Sequence, residues 1–331
     1  MILTQTPYRV SLFGGGTDYP AWFNEFPGAV LGMAIDKYCY VGVKHMPPGQ
    51  NLRYRVQYSK VDDCQTAEEI KHPAVRGALR YFELDEALEF HCFGDLPGRS
   101  GLGGSSAFAV GLVHALKRLF AHRFEYQACD PWLLADEAIF LEQEIIRETV
   151  GCQDQVFAAH GGLRYITFNQ EGRTLRTLEL QLERLQELES SLVLVYSGTM
   201  RDAHVMAAKQ VAAFPHKHTV LGRMKAMADE GMEVLLNHRP LTRIGEMLNE
   251  AWELKRALCP EVSTPEIDHL YEHGLRCGAL GGKLLGAGGG GYMLFFVPID
   301  EREAFLADIG APCVFFRVAH AGTRVIIGES P

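Results

Sequence analysis

The sequence predicts an α+β protein in two domains. Three observations carry that prediction. Short apolar-alternating runs crowd the first third of the chain, whereas apolar residues at helical spacing govern residues 131–148 and 224–277. A charged stretch from Gln181 to Ser190 separates two segments that each hold apolar runs. The division is set at residues 1–186 and 187–331, lengths that suit two ordinary domains.

The elements follow in order. Tyr8 to Phe13 alternates as a strand and enters Gly14-Gly15-Gly16-Thr17-Asp18-Tyr19-Pro20, a turn by composition. Ala29 to Ile35 and Tyr38 to Val43 are expected to pair as strands, and Leu52 to Tyr58 alternates as well. Leu88 to Phe93 is a short apolar segment, and Phe108 to Phe120 is apolar at helical spacing. Asp130-Pro131 reads as an N-cap and first helical residue, with the helix running to about Glu148 and Gly151 stopping it. Leu192 to Tyr196 is a compact buried strand. Three helices are expected next: Met224 to Leu236, a segment on which Ile244, Leu248, Ala251 and Leu258 share a face, and Pro265 to Cys277. The glycine-rich run Gly281 to Gly291 leads into a strand from Tyr292 to Val297, and Cys313 to Val318 reads as the last core strand.

Composition narrows the function. The chain is 47% hydrophobic and 22% charged, so it can bury a full core. Its net charge of −9 argues against a nucleic-acid partner but leaves room for anionic small molecules in a locally positive cleft. No run of 18 apolar residues is present, so no membrane span is expected, and Met1 to Arg9 lacks the pattern of a signal peptide. The eight cysteines contain no Cys-x-x-Cys pair, which favours reduced thiols and a cytoplasmic setting. His216 and His218, beside Pro215 and Lys217, read as a solvated turn.

The most informative stretch is Arg99-Ser100-Gly101-Leu102-Gly103-Gly104-Ser105-Ser106-Ala107, between the apolar segment and its helix. Glycines let backbone N–H groups approach a phosphate, and a helix N-terminus adds partial positive charge. Either serine has the chemistry to cap the helix or to meet a phosphate-bound metal. The stretch lacks the lysine of a Walker loop, and Ser106 stands where a dinucleotide fingerprint has its third glycine. A tight turn is the plainer alternative.

Carboxylates supply the second constellation. At 100° per residue, Glu142 falls on the arc of Ala135, Ala138, Ile139, Ile145 and Ile146, while Glu137, Glu144 and Glu148 fall on the other side. A carboxylate in an apolar stripe needs a partner or a cation. Twelve residues on, Asp154 follows the helix-ending glycine, so one acid is suited to hold magnesium and the other to orient or deprotonate a hydroxyl. Arg9, before the first glycine turn, forms either a surface pair with Asp18 or a partner for a catalytic aspartate or substrate anion. Gly286 to Gly291 is either a ligand-approach loop or a crowded packing turn.

These residues together resemble the GHMP superfamily of small-molecule kinases (galacto-, homoserine, mevalonate and phosphomevalonate kinases). Three motifs appear in order: Pro7 to Tyr19, Leu96 to Ala107, and Lys283 to Gly291. Within the superfamily, Phe13 to Pro20, Ile35 to Tyr38, Gly151 to Gln155 and Gly281 to Gly288 are similar to the bacterial D-glycero-D-manno-heptose 7-phosphate kinases. Galactokinases carry Glu-His where this chain has Gly15-Gly16.

The resemblance implies two α+β domains with the active site in the cleft between them. It also implies an ATP- and magnesium-dependent kinase acting on the anomeric hydroxyl of a sugar or sugar phosphate, here heptose 7-phosphate. The product would serve nucleotide-activated heptose for capsule or lipopolysaccharide. A kinase of another sugar such as fucose, or a silent ATP-dependent sugar sensor, is the alternative, and a homodimer is the candidate assembly. By resemblance, Asp154 and Arg9 are catalytic, and Arg99, Ser100, Gly101, Leu102, Gly103, Gly104, Ser105 and Ser106 bind ATP. Ser105 and Glu142 hold magnesium, with Ser106 adjacent, while Gly15, Gly16, Thr17, Asp18, Thr199, Arg201, Lys283, Gly288 and Gly289 contact the sugar or its phosphate. Superfamily loops that read Gly-Leu-Gly-Ser-Ser differ from Gly101-Leu102-Gly103-Gly104-Ser105-Ser106, which leaves open the serine that meets the metal.

Overall fold

The computed structural model of the chain describes residues 1–124, 130–200, 203–237 and 239–328. Strand β1 (Ile2–Phe13) runs antiparallel to β2 (Gly28–His45) along nearly its whole length, with the short helix α1 (Pro20–Phe23) between them. The two runs expected to pair with each other are therefore one 18-residue strand. Its first half pairs β6 (Leu163–Asn169) and its second half pairs β5 (Leu88–Gly94). The Asp36-Lys37 interruption is a bulge opposite Pro7, which has no N–H to give the ladder. Asp36 leaves the ladder there and binds the returning tail, where Arg317 N–H donates to Asp36 Oδ1 at 2.9 Å.

Strands β3 (Tyr54–Gln57) and β4 (Val61–Cys64) extend the sheet beyond β5, and β7 (Gly172–Thr177) extends it beyond β6. Helix α2 (Pro73–Tyr81) precedes β5, and α3 (Gly104–Leu119) lies across β1 and β2. Every residue of α3 from Ser106 to Lys117 is buried, the signature of a helix enclosed on all sides. Asp130 caps α4 (Pro131–Phe140) as expected, its side chain accepting from Trp132 N–H at 2.9 Å. The helix does not reach Glu148. It widens into one turn at Leu141–Ile145, where Ile146 N–H reaches the Leu141 carbonyl, and ends there. Helix α5 (Gln153–His160) follows.

After α6 (Leu182–Ser191) the chain builds a second, antiparallel sheet: β8 (Leu192–Tyr196), β9 (Gly281–Leu284), β10 (Tyr292–Phe296) and the two-residue β11 (Cys313–Val314), in the order β11-β8-β10-β9. The expected strand from Cys313 to Val318 is thus cut short. Between β8 and β9 lie α7 (Ala203–Ala213), α8 (His218–Leu236), α9 (Thr242–Leu258) and α10 (Pro265–Arg276), and α11 (Arg302–Asp308) precedes β11. Trp252, Ile267, Tyr271, Phe295 and Phe305 form the core of this half. His216 and His218 are exposed, as the solvated reading expects, and the His218 ring also lies against Trp22 and Phe26. The last strand, β12 (Arg324–Ile327), pairs with β1, so the tail returns from the second half to the first sheet. Seven cysteines among the described residues are free thiols.

Candidate active site

A cleft of about 730 Å3 runs between the two sheets. Its floor is made by the end of β1, the glycine loop and the start of α5. Arg9 projects from β1 and forks onto Asp154 near the start of α5: Nε donates to Oδ1 and Nη2 to Oδ2, each at 2.7 Å. Its remaining Nη1 donates to the Gly101 carbonyl at 2.6 Å, and its backbone N–H to the Leu102 carbonyl at 3.0 Å. Arg9 thus ties the catalytic-acid candidate to the phosphate-loop candidate. It does not form the surface pair with Asp18, because it is buried and its fork is turned onto Asp154.

The loop ends at Gly103 with φ +73°, the N-cap of α3. A side-chain carbon at Gly103 would stand 3.1 Å from both Asp154 Oδ2 and Arg9 Cγ, so a bare glycine lets the loop sit directly against the acid. Neither serine caps α3 through its side chain. Ser106 faces inward and donates to Glu142 Oε1 at 3.1 Å, whereas Ser105 is exposed. The hydroxyl placed beside Glu142 is therefore that of Ser106 and not that of Ser105. Successive helical residues point about 100° apart, and only the inner one reaches the wide turn.

Glu142 is buried, as its place on the apolar arc implied. Gln155 Nε2 donates to its Oε2 at 2.6 Å. Burial pushes the Glu142 carboxyl up to about 8, against the opposing pull of the Gln155 and Ser106 hydrogen bonds. A cation at this position would favour its charged form. Among the described residues no group of three or more His, Cys, Asp or Glu could by itself hold a metal. One carboxylate and one hydroxyl beside a phosphate loop fit magnesium, which keeps waters and shares phosphate oxygens.

Asp18 stands at the far end of the first glycine turn. It accepts Gly16 N–H at 3.0 Å and Gln153 N–H at 3.3 Å. Burial and then the charge of Asp154 raise its carboxyl, which the backbone donors offset in part. Gly151 is needed here, since any side-chain carbon on it would collide with Asp18 Oδ2. Gly15, Gly16, Asp18 and Lys283 line the cleft, as do Arg99, Ser100, Gly101, Gly103, Gly104, Ser105 and Ser106.

Other expected residues lie elsewhere. Leu102 is buried and offers only its carbonyl, to Arg9. Thr17 spends its hydroxyl on the Gly14 and Ala29 carbonyls, closing the turn from inside. Thr199 accepts Gly291 N–H through its carbonyl and meets Ser197 through its hydroxyl. Gly288 packs on Val262, and Gly289 N–H donates to the Val262 carbonyl at 2.8 Å. These contacts make them parts of packing turns rather than of the cleft wall, which the third glycine run reaches through Gly286 and Ala287. Arg201 lies outside the described residues.

Several lining residues carried no sequence signal. Tyr58, His72 and Phe108 form an aromatic corner, with Tyr58–His72 and His72–Phe108 centroids 4.9 and 4.6 Å apart. Burial lowers the His72 ring, favouring its neutral form. The three come from separate elements, so no local pattern joins them. Lys255 on α9 was missed because it sits within an ordinary amphipathic helix. Gln155 had one available signal, its place directly after Asp154.

Two family models match this chain: the GHMP kinases N terminal domain over residues 70–162 and the GHMP kinases C terminal over residues 232–314. The chain belongs to the GHMP kinase family. It is an ATP-dependent sugar kinase of two α+β halves. A D-glycero-α-D-manno-heptose 7-phosphate kinase of Campylobacter jejuni is 28% identical over 91% of both chains. A bifunctional fucokinase/GDP-fucose pyrophosphorylase of Arabidopsis thaliana is 28% identical over 90% of this chain and 30% of its own length. Among solved structures, a D-glycero-D-manno-heptose 1-phosphate kinase from Bacteroides thetaiotaomicron superposes with a TM-score of 0.78 at 20% identity, covering all of both chains. At that identity the likeness concerns the fold. No helix among the described residues is long and apolar enough to cross a membrane.

Proposed function

We propose that this GHMP kinase transfers the γ-phosphoryl of ATP to the anomeric hydroxyl of D-glycero-D-manno-heptose 7-phosphate. The observation that carries the chemistry is the Arg9–Asp154 fork pressed against the phosphate loop. The full-length heptose 7-phosphate kinase relative supports the acceptor. The work would be cytoplasmic, and the 1,7-bisphosphate product is of the kind that precedes nucleotide activation of heptose.

In this reading the Gly101 to Ser106 amides and the N-terminus of α3 cradle the ATP phosphates. Asp154 accepts the proton of the C1 hydroxyl as its oxygen bonds to the γ-phosphorus and the bond to ADP breaks. Arg9 fixes the carboxylate in position and balances its charge. Glu142 and Ser106 would hold magnesium, whose chemistry is to neutralise phosphate charge as it builds toward ADP. Gly15, Gly16 and Asp18 bound the sugar. Buried Ser11 Oγ and Gln153 Oε1 have no hydrogen-bond partner in the protein, which leaves acceptor capacity beside Gly15.

ADP release from ATP and magnesium tests the proposal, with heptose 7-phosphate, free mannoheptose, fucose, mannose and galactose in parallel. Preference for heptose 7-phosphate is expected. Turnover confined to another sugar would discard the acceptor and keep the mechanism. Fucose is the second reading, because the Arabidopsis relative matches as much of this chain at the same identity. The sugar-sensor alternative is set aside, because the relatives are kinases and the fork is intact.

A further inference from the structure

Two lysines in the cleft wall stand apart from every other cation of the site. Lys255, on α9, donates from Nζ to the Leu284 carbonyl at 2.9 Å and the Gly286 carbonyl at 2.6 Å. Lys283, on β9, donates from Nζ to the Ser11 and Leu12 carbonyls at 3.0 and 2.9 Å. Both are buried at 7% exposure, and among the described residues neither has a carboxylate within ion-pair reach. Arg9, by contrast, is neutralised by Asp154.

An ammonium carries three N–H donors, and each lysine has assigned two of them to neutral oxygens. A buried cation without a counter-ion is costly, and two close together are costlier. Burial, and then the charges of Lys283 and Arg9, hold Lys255 well below its ordinary range. Burial and then Arg9 push Lys283 down to about 7. An anion bound between them would relieve both.

The ATP phosphates already have a cradle in the glycine loop and the N-terminus of α3. Both lysines line the cleft together with Gly15, Gly16 and Asp18, the residues proposed to bound the sugar. The carbonyls held by Lys283 belong to Ser11 and Leu12, three and two residues before Gly14, and Leu258, one turn along α9 from Lys255, lies 4.0 Å from where a side chain of Gly16 would begin. We infer that Lys255 and Lys283 form a second phosphate position in the cleft, which takes the phosphate group that the acceptor sugar already carries. The inference rests on the proposed phosphorylated acceptor and deepens it, since it says which side chains separate a sugar phosphate from the free sugar.

The test compares heptose 7-phosphate with free mannoheptose in the wild type, Lys255→Gln, Lys283→Gln and Lys255→Arg. ATP affinity is measured separately by calorimetry without sugar, and thermal unfolding reports whether each variant folds. Removing one ammonium is expected to lower kcat/KM for the sugar phosphate by at least about tenfold more than for the free sugar, with ATP affinity unchanged. Lys255→Arg should recover part of the preference, which a purely structural role would not require. Equal losses on both sugars, or a loss of ATP affinity alone, would overturn the inference while leaving the acceptor reading intact. A wild type that turns over no sugar phosphate would overturn the acceptor reading itself, and with it this site. If Lys283→Gln does not fold, the Lys255 variants decide the matter alone.

Discussion

Arg9 and Asp154, 145 positions apart, meet in a two-bonded fork with both N–O separations at 2.7 Å. Nη1 of the same guanidinium donates to the Gly101 carbonyl, so one side chain sets the distance between the acid and the proposed phosphate loop. Asp154→Asn should therefore keep the fold and bind ATP nearly as well. Turnover is expected to fall by about 10²- to 10⁴-fold. Steady-state ADP release together with calorimetric ATP binding checks this, and turnover within a few-fold of wild type would remove Asp154 as the proton acceptor.

The two serines of the loop should separate cleanly. Ser106→Ala removes the donor to Glu142 Oε1 and should raise the magnesium needed for half-maximal rate, on the order of tenfold or more. Ser105→Ala changes an exposed side chain and should stay within a few-fold. A magnesium titration of the two variants decides, and the reverse order would return the metal to Ser105.

Gly151→Ala is expected to destabilise the protein by at least about 1–3 kcal/mol, because the added methyl must displace the Asp18 carboxylate or the turn that carries Gln153. Urea unfolding reads the stability. The same variant should raise KM for the sugar more than KM for ATP, since Asp18 is proposed to bound the sugar. An unchanged unfolding midpoint would show that the turn yields freely.

Acid should weaken the fold through His114. Burial, and then the charge of Arg118, lower its ring to about 4, below the 6.5 of the unfolded chain. Between these values the unfolded chain binds the extra proton, so the stability present above pH 6.5 is lost as pH falls toward 4. His160 is lowered in the same direction to about 4, by burial and then Arg164. His114→Gln should flatten the loss between pH 6.5 and 4 by on the order of 2–3 kcal/mol. Chemical unfolding across that window measures it, and identical slopes in both proteins would contradict the assignment.

What the sequence by itself determined is local. Asp130-Pro131 announces its helix because an N-cap acts within two residues. Glu142 declares itself because one carboxylate on an apolar arc is visible at 100° spacing, although the helix widens before its expected end. The glycine runs were legible because a side chain is absent wherever backbone must approach closely. Which glycines face the cleft was not legible: Gly286 does, while Gly288 and Gly289 pack on Val262.

Tertiary structure alone decided the rest. A single strand carries the Asp36-Lys37 interruption because the tail at Arg317 returns to receive it, 281 residues away. Ser106 rather than Ser105 meets Glu142 because α3 is clamped on one side by the sheet and on the other by the wide turn. The same holds for Lys255 and Lys283, whose ammonium groups approach across two elements and find only carbonyls. Such contacts depend on where distant segments are packed, and neither spacing nor composition encodes that position.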